Sequence, residues 1–421
     1  MNLRFSRGMT LLLACLALSL SARTSPAQAT STPVSIKKHH AKTRKKTVSA
    51  SSSSARRPVA RTTTQAGVIH TRTTTAASLA RARRRHRHFV FVNPWTEPTY
   101  ADSTVGDNID GEDLVVRKAA VDALGPYNGT VVVADPQTGR VLSIVNQKLA
   151  TKGAYQPCST VKMVVSLASL SEGIVNSATP LRITRRYSTD MTDALARSNN
   201  LYFAKLGQEL GFSRVEKYAK LFGLGEKAGL DIPGEEAGYL TDEPPQTGVG
   251  MMTSFGDGIR LTPLELASIV ATISNGGTMY YLQYPKSEQE VQKFVPRIKR
   301  TLEISSYIPE IRPGMMGAVE YGTARRANFD PNEPIFGKTG TCTDTAQPGV
   351  HLGWFGSFND VNKNKVVVVV LLTGGRGISG PIASGIAGNV YHNLSQQRYF
   401  GEQQQPLVPA GLVMMPNCCR R

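Results

Sequence analysis

The chain has 421 residues, 49 Lys+Arg against 31 Asp+Glu and a formal net charge of +18, with 40% hydrophobic and 19% charged residues. That hydrophobic share excludes a wholly disordered polypeptide. Five cysteines exclude a disulfide scaffold, and no paired Cys/His spacing suggests zinc.

The charge invites a nucleic-acid-binding reading, but its distribution removes it. Residues 1–88 hold 18 basic residues and no acid, whereas residues 89–421 hold 31 of each sign. In chain order, Arg4 and Arg7 precede an apolar stretch from Met9 to Leu20, and Ala27-Gln28-Ala29 offers a small-residue cleavage site. Residues 1–29 therefore read as a secretory signal peptide, with an uncleaved anchor as the other reading. Residues 30–88 are mostly Ser, Thr, Ala, Lys and Arg, ending on Arg83-Arg84-Arg85-His86-Arg87-His88. Such a segment cannot form a core and reads as a disordered basic linker. It serves either as a solvated tether or as an arm contacting an acidic wall or membrane surface. Nucleic acid is not expected as a partner of an exported chain, and no run approaches the ~18 apolar residues of a membrane span.

Residues 89–421 alternate strands and helices. The runs 130–134 and 140–145 flank Asp135-Pro136-Gln137-Thr138-Gly139, the pattern of a hairpin. Helical spacing is expected over 161–170 and over 213–221, the latter with Ser213 as cap. Thr262-Pro263-Leu264-Glu265 opens a helix that Asn275-Gly276-Gly277 stops. Strands are expected over 351–358 and 366–373, where five consecutive valines imply burial on both faces, and a closing helix over 382–394. Strands at both ends with helices between them imply one sheet with a helical insertion.

Three short motifs carry chemistry. Ser159-Thr160-Val161-Lys162 lies at an expected helix start, where residues three apart share a face. A buried Lys beside other cations loses proton affinity and can serve as a base. A Ser hydroxyl needs such a base to become a nucleophile. A capping Ser with a surface Lys would show the same pattern. Ser198-Asn199-Asn200 offers a hydroxyl that can relay a proton and a carboxamide that can bind a peptide bond, or simply a turn. In Lys338-Thr339-Gly340-Thr341 the ammonium and hydroxyls can bind a carboxylate while Gly340 lets another backbone approach. A plain edge strand is the other reading.

In this order and spacing the three motifs resemble those of the active-site serine penicillin-recognising enzymes, and in particular the transpeptidase domain of class B penicillin-binding proteins. The resemblance covers about residues 125–395. It includes Leu261-Thr262-Pro263-Leu264, Asn275-Gly276-Gly277 and Gly322-Thr323-Ala324. It implies an α/β (α+β) fold with an antiparallel sheet flanked by helices and an all-helical subdomain, the transpeptidase domain occupying residues 89–421. It further implies an exported serine D,D-transpeptidase that needs no cofactor or metal, acts on D-Ala-D-Ala stem peptides of peptidoglycan and is acylated by β-lactam antibiotics. Ser159 would be the nucleophile, Lys162 its base, and Ser198 with Lys338 the proton shuttle. Asn200, Thr339, Gly340 and Thr341 would bind substrate, and the N–H groups of Ser159 and Thr341 would form the oxyanion hole.

The pair Cys158 and Cys342 matches a disulfide of some carbapenem-hydrolysing class A β-lactamases, so the resemblance implies a bond between them, two buried thiols being the other reading. Class B proteins usually carry a long domain before the transpeptidase. Only about 36 residues separate the basic linker from the match here, so a catalytic domain on a tether is expected. A D,D-carboxypeptidase and a β-lactamase remain alternatives, although no Glu is followed four residues later by Asn between Asn199 and Lys338, as class A deacylation would require.

Overall fold

The computed structural model describes residues 98–401, apart from 231, 233, 362 and 363. The expected signal peptide and basic linker lie outside the described residues.

Helix α1 (Leu114–Leu124) starts on Asp113, whose carboxylate accepts from the N–H groups of Val115 and Val116, satisfying two of the donors a helix start leaves open. The expected hairpin follows as β1 (Gly129–Ala134) and β2 (Val141–Val145). Asp135 closes its turn by accepting from Gln137 N at 2.8 Å and Thr138 Oγ1 at 2.6 Å. Short α2 (Gln147–Thr151) leads to a 3-10 turn (Cys158–Val161) and α3 (Lys162–Ser171). The insertion then runs through the small hairpin β3 (Leu181–Thr184) and β4 (Tyr187–Thr189), and helices α4 (Met191–Ala196), α5 (Asn200–Leu210) and α6 (Phe212–Leu221).

After it come β5 (Tyr239–Leu240), α7 (Val249–Phe255), β6 (Ile259–Arg260), α8 (Pro263–Ser274) and β7 (Thr278–Tyr280). Then follow α9 (Glu288–Gln292), β8 (Ile298–Thr301) and α10 (Ile308–Glu320). The chain returns to the main sheet as β9 (Ile335–Thr343), β10 (His351–Asn359) and β11 (Val367–Gly374), and closes with α11 (Gly380–Gln396).

The main sheet has the order β2-β1-β11-β10-β9, antiparallel throughout, with Val131 opposite Val370 and Trp354 opposite both Leu371 and Gly340. All but the first residue of the valine run lie in β11, paired on both sides. Because strand side chains alternate, Val367, Val369 and Leu371 enter one core with α3 and α8, while Val368, Val370 and Leu372 enter a second core with α1 and α11. Each fully buried Val or Leu contributes roughly 1.5–3 kcal/mol of transfer free energy, so the strand belongs at the centre of a three-layer arrangement. At α8, Thr262 Oγ1 accepts from Glu265 N at 3.0 Å and Glu265 Oε2 accepts from Thr262 N at 2.7 Å, with Pro263 in the first turn. This reciprocal cap is what the sequence there predicts.

Two local expectations are corrected. Ser213 does not cap α6; the helix starts at Phe212, and Gly211 at φ +75° is at once the end of α5 and the start of α6. A turn this tight leaves no residue outside the helix to offer a side-chain cap, and glycine alone takes that backbone without cost. The helix expected from Val161 begins instead with the 3-10 turn, and its α-helical part starts at Lys162. Among the described residues no helix is long and apolar enough to cross a membrane.

Candidate active site

The edge strand β9 lies over the 3-10 turn that carries Ser159. Gly340 sets this approach: a Cβ there would lie 2.9 Å from Pro157 O and 3.2 Å from Thr160 Cγ2. The turn is fixed from several sides. Trp354 Nε1 donates to Gln156 O at 2.9 Å, Thr160 Oγ1 donates to Pro157 O at 2.7 Å, and Gln156 Nε2 donates to Asp257 Oδ1 at 2.8 Å. Cys158, immediately before the serine, has φ +51°, a left-handed conformation that costs a non-glycine residue of order 1–3 kcal/mol unless its surroundings enforce it. Its Sγ is bonded to that of Cys342, with the Cα atoms 5.7 Å apart. The bond ties the residue before Ser159 to the residue after Thr341 and closes a span of 184 residues. We predict that thiol labelling of the unfolded, unreduced chain leaves both cysteines unmodified. A Cys158→Ala/Cys342→Ala variant should lose about 2–4 kcal/mol in denaturant unfolding.

Lys162 is fully buried beneath Ser159. Its Nζ lies 2.9 Å from Ser159 Oγ, 3.1 Å from Ser198 Oγ, 3.0 Å from Ser198 O and 2.5 Å from Asn200 Oδ1. The last two oxygens can only accept. They match the two N–H groups of a neutral amine, which leaves its single lone pair to accept from the Ser159 or the Ser198 hydroxyl. Among the described residues no carboxylate bonds to or pairs with Lys162. Burial, with the nearby charge of Lys338 second, pushes its pKa down to about 6. The amine is then a base at neutral pH, placed at hydrogen-bond distance from the hydroxyl it would deprotonate. Phe203 covers it, the ring centroid 5.4 Å from Nζ.

Ser198 sits between α4 and α5 at φ +57°, a conformation that turns both its carbonyl and its hydroxyl onto Lys162. The next turn is held by Asn199, which caps α5 by accepting from Tyr202 N at 3.1 Å. Lys338 is also fully buried, and burial pushes it down to about 7. Its Nζ donates to Thr339 O at 3.2 Å. Among the described residues it makes no hydrogen bond to Ser198, so the shuttle pair expected from the sequence is not in direct contact. Thr341 Oγ1 accepts from Gly380 N, the first residue of α11, at 2.8 Å, and Thr339 Oγ1 lies 2.6 Å from Thr323 Oγ1.

The eight expected site residues and the two cysteines thus come from three places: the start of α3, the α4–α5 junction and the edge strand. Sequence spacing gave no chemical role to Thr323, Gly380, Trp354 or Phe203. Only Gly322-Thr323-Ala324 carried a signal, as a stretch shared with a family.

A family model described as the penicillin binding protein transpeptidase domain matches residues 129–395. Among known proteins, stage V sporulation protein D of Bacillus subtilis is 29% identical over 310 residues, covering 64% of this chain and 47% of the relative. The peptidoglycan D,D-transpeptidase MrdA of Haemophilus influenzae is 24% identical over 353 residues, covering 64% and 54%. The chain spans about half the length of the curated relatives it matches. A crystal structure of Pseudomonas aeruginosa PBP2 in complex with WCK 5153 shares the fold with TM-score 0.58 at 22% identity, covering 70% of this chain and 78% of that one. The D,D-transpeptidase domain of a peptidoglycan glycosyltransferase from Eggerthella lenta gives TM-score 0.54 at 20% identity, covering 68% and 82%. A match over the larger part of the chain, on a sheet and helices of the same fold, makes the chain a member of the penicillin-binding protein transpeptidase family.

Proposed function

We propose that the chain is an exported serine D,D-transpeptidase of peptidoglycan cross-linking that is acylated by penicillin at Ser159. The observation that carries this reading is the buried, uncompensated Lys162 amine within 2.9 Å of the Ser159 hydroxyl. In the proposed step the Ser159 Oγ–carbonyl bond forms and the amide bond between the two terminal D-alanines breaks. The hydroxyl proton passes to Lys162 and, through Ser198 and with Lys338 nearby, to the departing nitrogen. Asn200 gives its oxygen to Lys162 and keeps its amino group for the acyl-side carbonyl. Thr339 and Thr341 receive the terminal carboxylate. The N–H groups of Ser159 and Thr341 take the oxyanion, each such donor being worth typically ~2.7–4 kcal/mol. An amine of a second strand then gives a cross-link; water gives a trimmed peptide.

The names of the relatives, peptidoglycan D,D-transpeptidases among them, support a place in the cell envelope. Contact of the basic linker with an acidic wall or membrane surface belongs to the same proposal. Fluorescent penicillin should label the protein and fail to label Ser159→Ala. Mass spectrometry of a stem pentapeptide with an acceptor amine should then show the cross-linked dimer. Trimmed product alone would make it a carboxypeptidase, and turnover of a chromogenic cephalosporin at tens per second would make it a β-lactamase.

A further inference from the structure

The two hydroxyls of the Lys338-Thr339-Gly340-Thr341 strand have partners behind them, and the kind of partner decides what each can do in front. A threonine hydroxyl has one proton and two lone pairs. Thr341 Oγ1 accepts from the Gly380 N–H at the start of the 17-residue helix α11. A backbone N–H can only donate, so the Thr341 proton stays available for the cleft. Thr339 faces the same problem with a less obvious solution. Its hydroxyl lies 2.6 Å from that of Thr323, and among the described residues no other group bonds to it. Of two hydroxyls this close, one must donate to the other.

Thr323 has two oxygens within reach: Thr339 Oγ1 at 2.6 Å and Ala196 O at 3.5 Å. Ala196 O already accepts from Thr323 N at 3.2 Å. A contact of 2.6 Å is at the strong end for O–H···O, whereas 3.5 Å is beyond it. The short contact forms whichever hydroxyl donates, so the other proton decides. If Thr339 donated, the Thr323 proton would have only the long contact to Ala196 O, an oxygen already taken, whereas if Thr323 donates, the Thr339 proton is free to point at substrate. We propose that Thr323 is a positioning residue that holds Thr339 as a donor, so that Thr339 and Thr341 together present two O–H donors and the site selects an acceptor-only anion, a carboxylate. With the opposite orientation Thr339 would offer lone pairs to a carboxylate and repel it.

The inference rests on the acylation reading above, and the experiment separates the two. Acylation of Ser159 is measured with one acyl donor bearing a terminal carboxylate and with the same donor as its neutral ester, on the full chain and on Thr323→Val and Thr323→Ser. The wild type is expected to prefer the carboxylate donor. Thr323→Val, similar in shape but without the hydroxyl, should cut that preference about tenfold, mainly in the carboxylate arm, and Thr323→Ser should restore it. An equal fall for both donors, or a serine variant as impaired as the valine one, would reduce Thr323 to a packing residue and overturn the proposal. A wild type acylated without carboxylate preference overturns it as well. A wild type that neither donor acylates overturns the transpeptidase reading itself.

Discussion

Lys162→Ala is expected to lower the rate of penicillin acylation of Ser159 by about 10²–10⁴-fold, the usual contribution of a positioned general base. Lys162→Arg should fare no better: it keeps charge and reach but cannot lose its proton near neutral pH. Acylation by the wild type should rise as pH passes about 6, where the buried amine loses its proton, and this limb should be missing in both variants. The same shift acts on stability with a definite sign. The folded chain holds Lys162 at about 6, against an ordinary value of 10.5. Between those values the unfolded chain binds more protons, so stability rises with pH across the window. Denaturant unfolding at several pH values should give a shallower rise for Lys162→Met than for the wild type. Stopped-flow or labelling kinetics at matched pH would refute the base assignment if Lys162→Ala acylated at the wild-type rate.

Gly322→Ala is the second change expected to be large. A Cβ at Gly322 would overlap Ala196 O and lie 2.8 Å from Ala318 Cα. Both are backbone atoms, which cannot rotate away as a side chain would. The cost should be about 1–3 kcal/mol, as for other overpacked sites. The position matters more than the amount. Ala196 O receives Thr323 N, and Ala196 is two residues before Ser198, so relief of the clash moves the loop that holds Ser198 against Lys162. A loss of acylation greater than tenfold, beyond what reduced folding explains, is expected. Gly377→Ala is the control, since a Cβ there meets nothing within 4 Å and should change stability by less than about 0.5 kcal/mol. Equal stability and acylation in Gly322→Ala and wild type would remove this coupling.

The local signals in the sequence were those whose physics is local. The hairpin around Asp135-Pro136 and the reciprocal cap of Thr262 and Glu265 depend on neighbours within a few residues. The valine run in β11 needed only the rule that a doubly buried strand is apolar on both faces. The left-handed backbones of Cys158 and Ser198 were not legible, because non-glycine residues adopt them only under constraint from distant groups. At Cys158 that constraint includes a bond to a residue 184 positions away. The motifs named Ser159, Lys162, Ser198 and Asn200 as candidates, but one amine touching all of them is a product of how α3 and α5 pack. The separation of Lys338 from Ser198 and the Thr323–Thr339 contact likewise depend on strand placement, about which spacing says nothing.

The order of the main sheet also bears on how the chain comes to be folded. Strand β1 pairs on one side with its neighbour β2 and on the other with β11, Gly129 facing Leu372, about 240 residues later. Pairings so distant in sequence must close a long loop before any contact repays it, and folding slows accordingly. During synthesis the opening hairpin therefore waits, without the strand that buries its other edge, until nearly the whole domain has been made. A ribosome-bound chain ending before Val367 has no β11, so β1 keeps only β2 and β10 keeps only β9, each with one edge unpaired. Such a late-closing sheet leaves the growing polypeptide with two open strand edges until its last strand has been made.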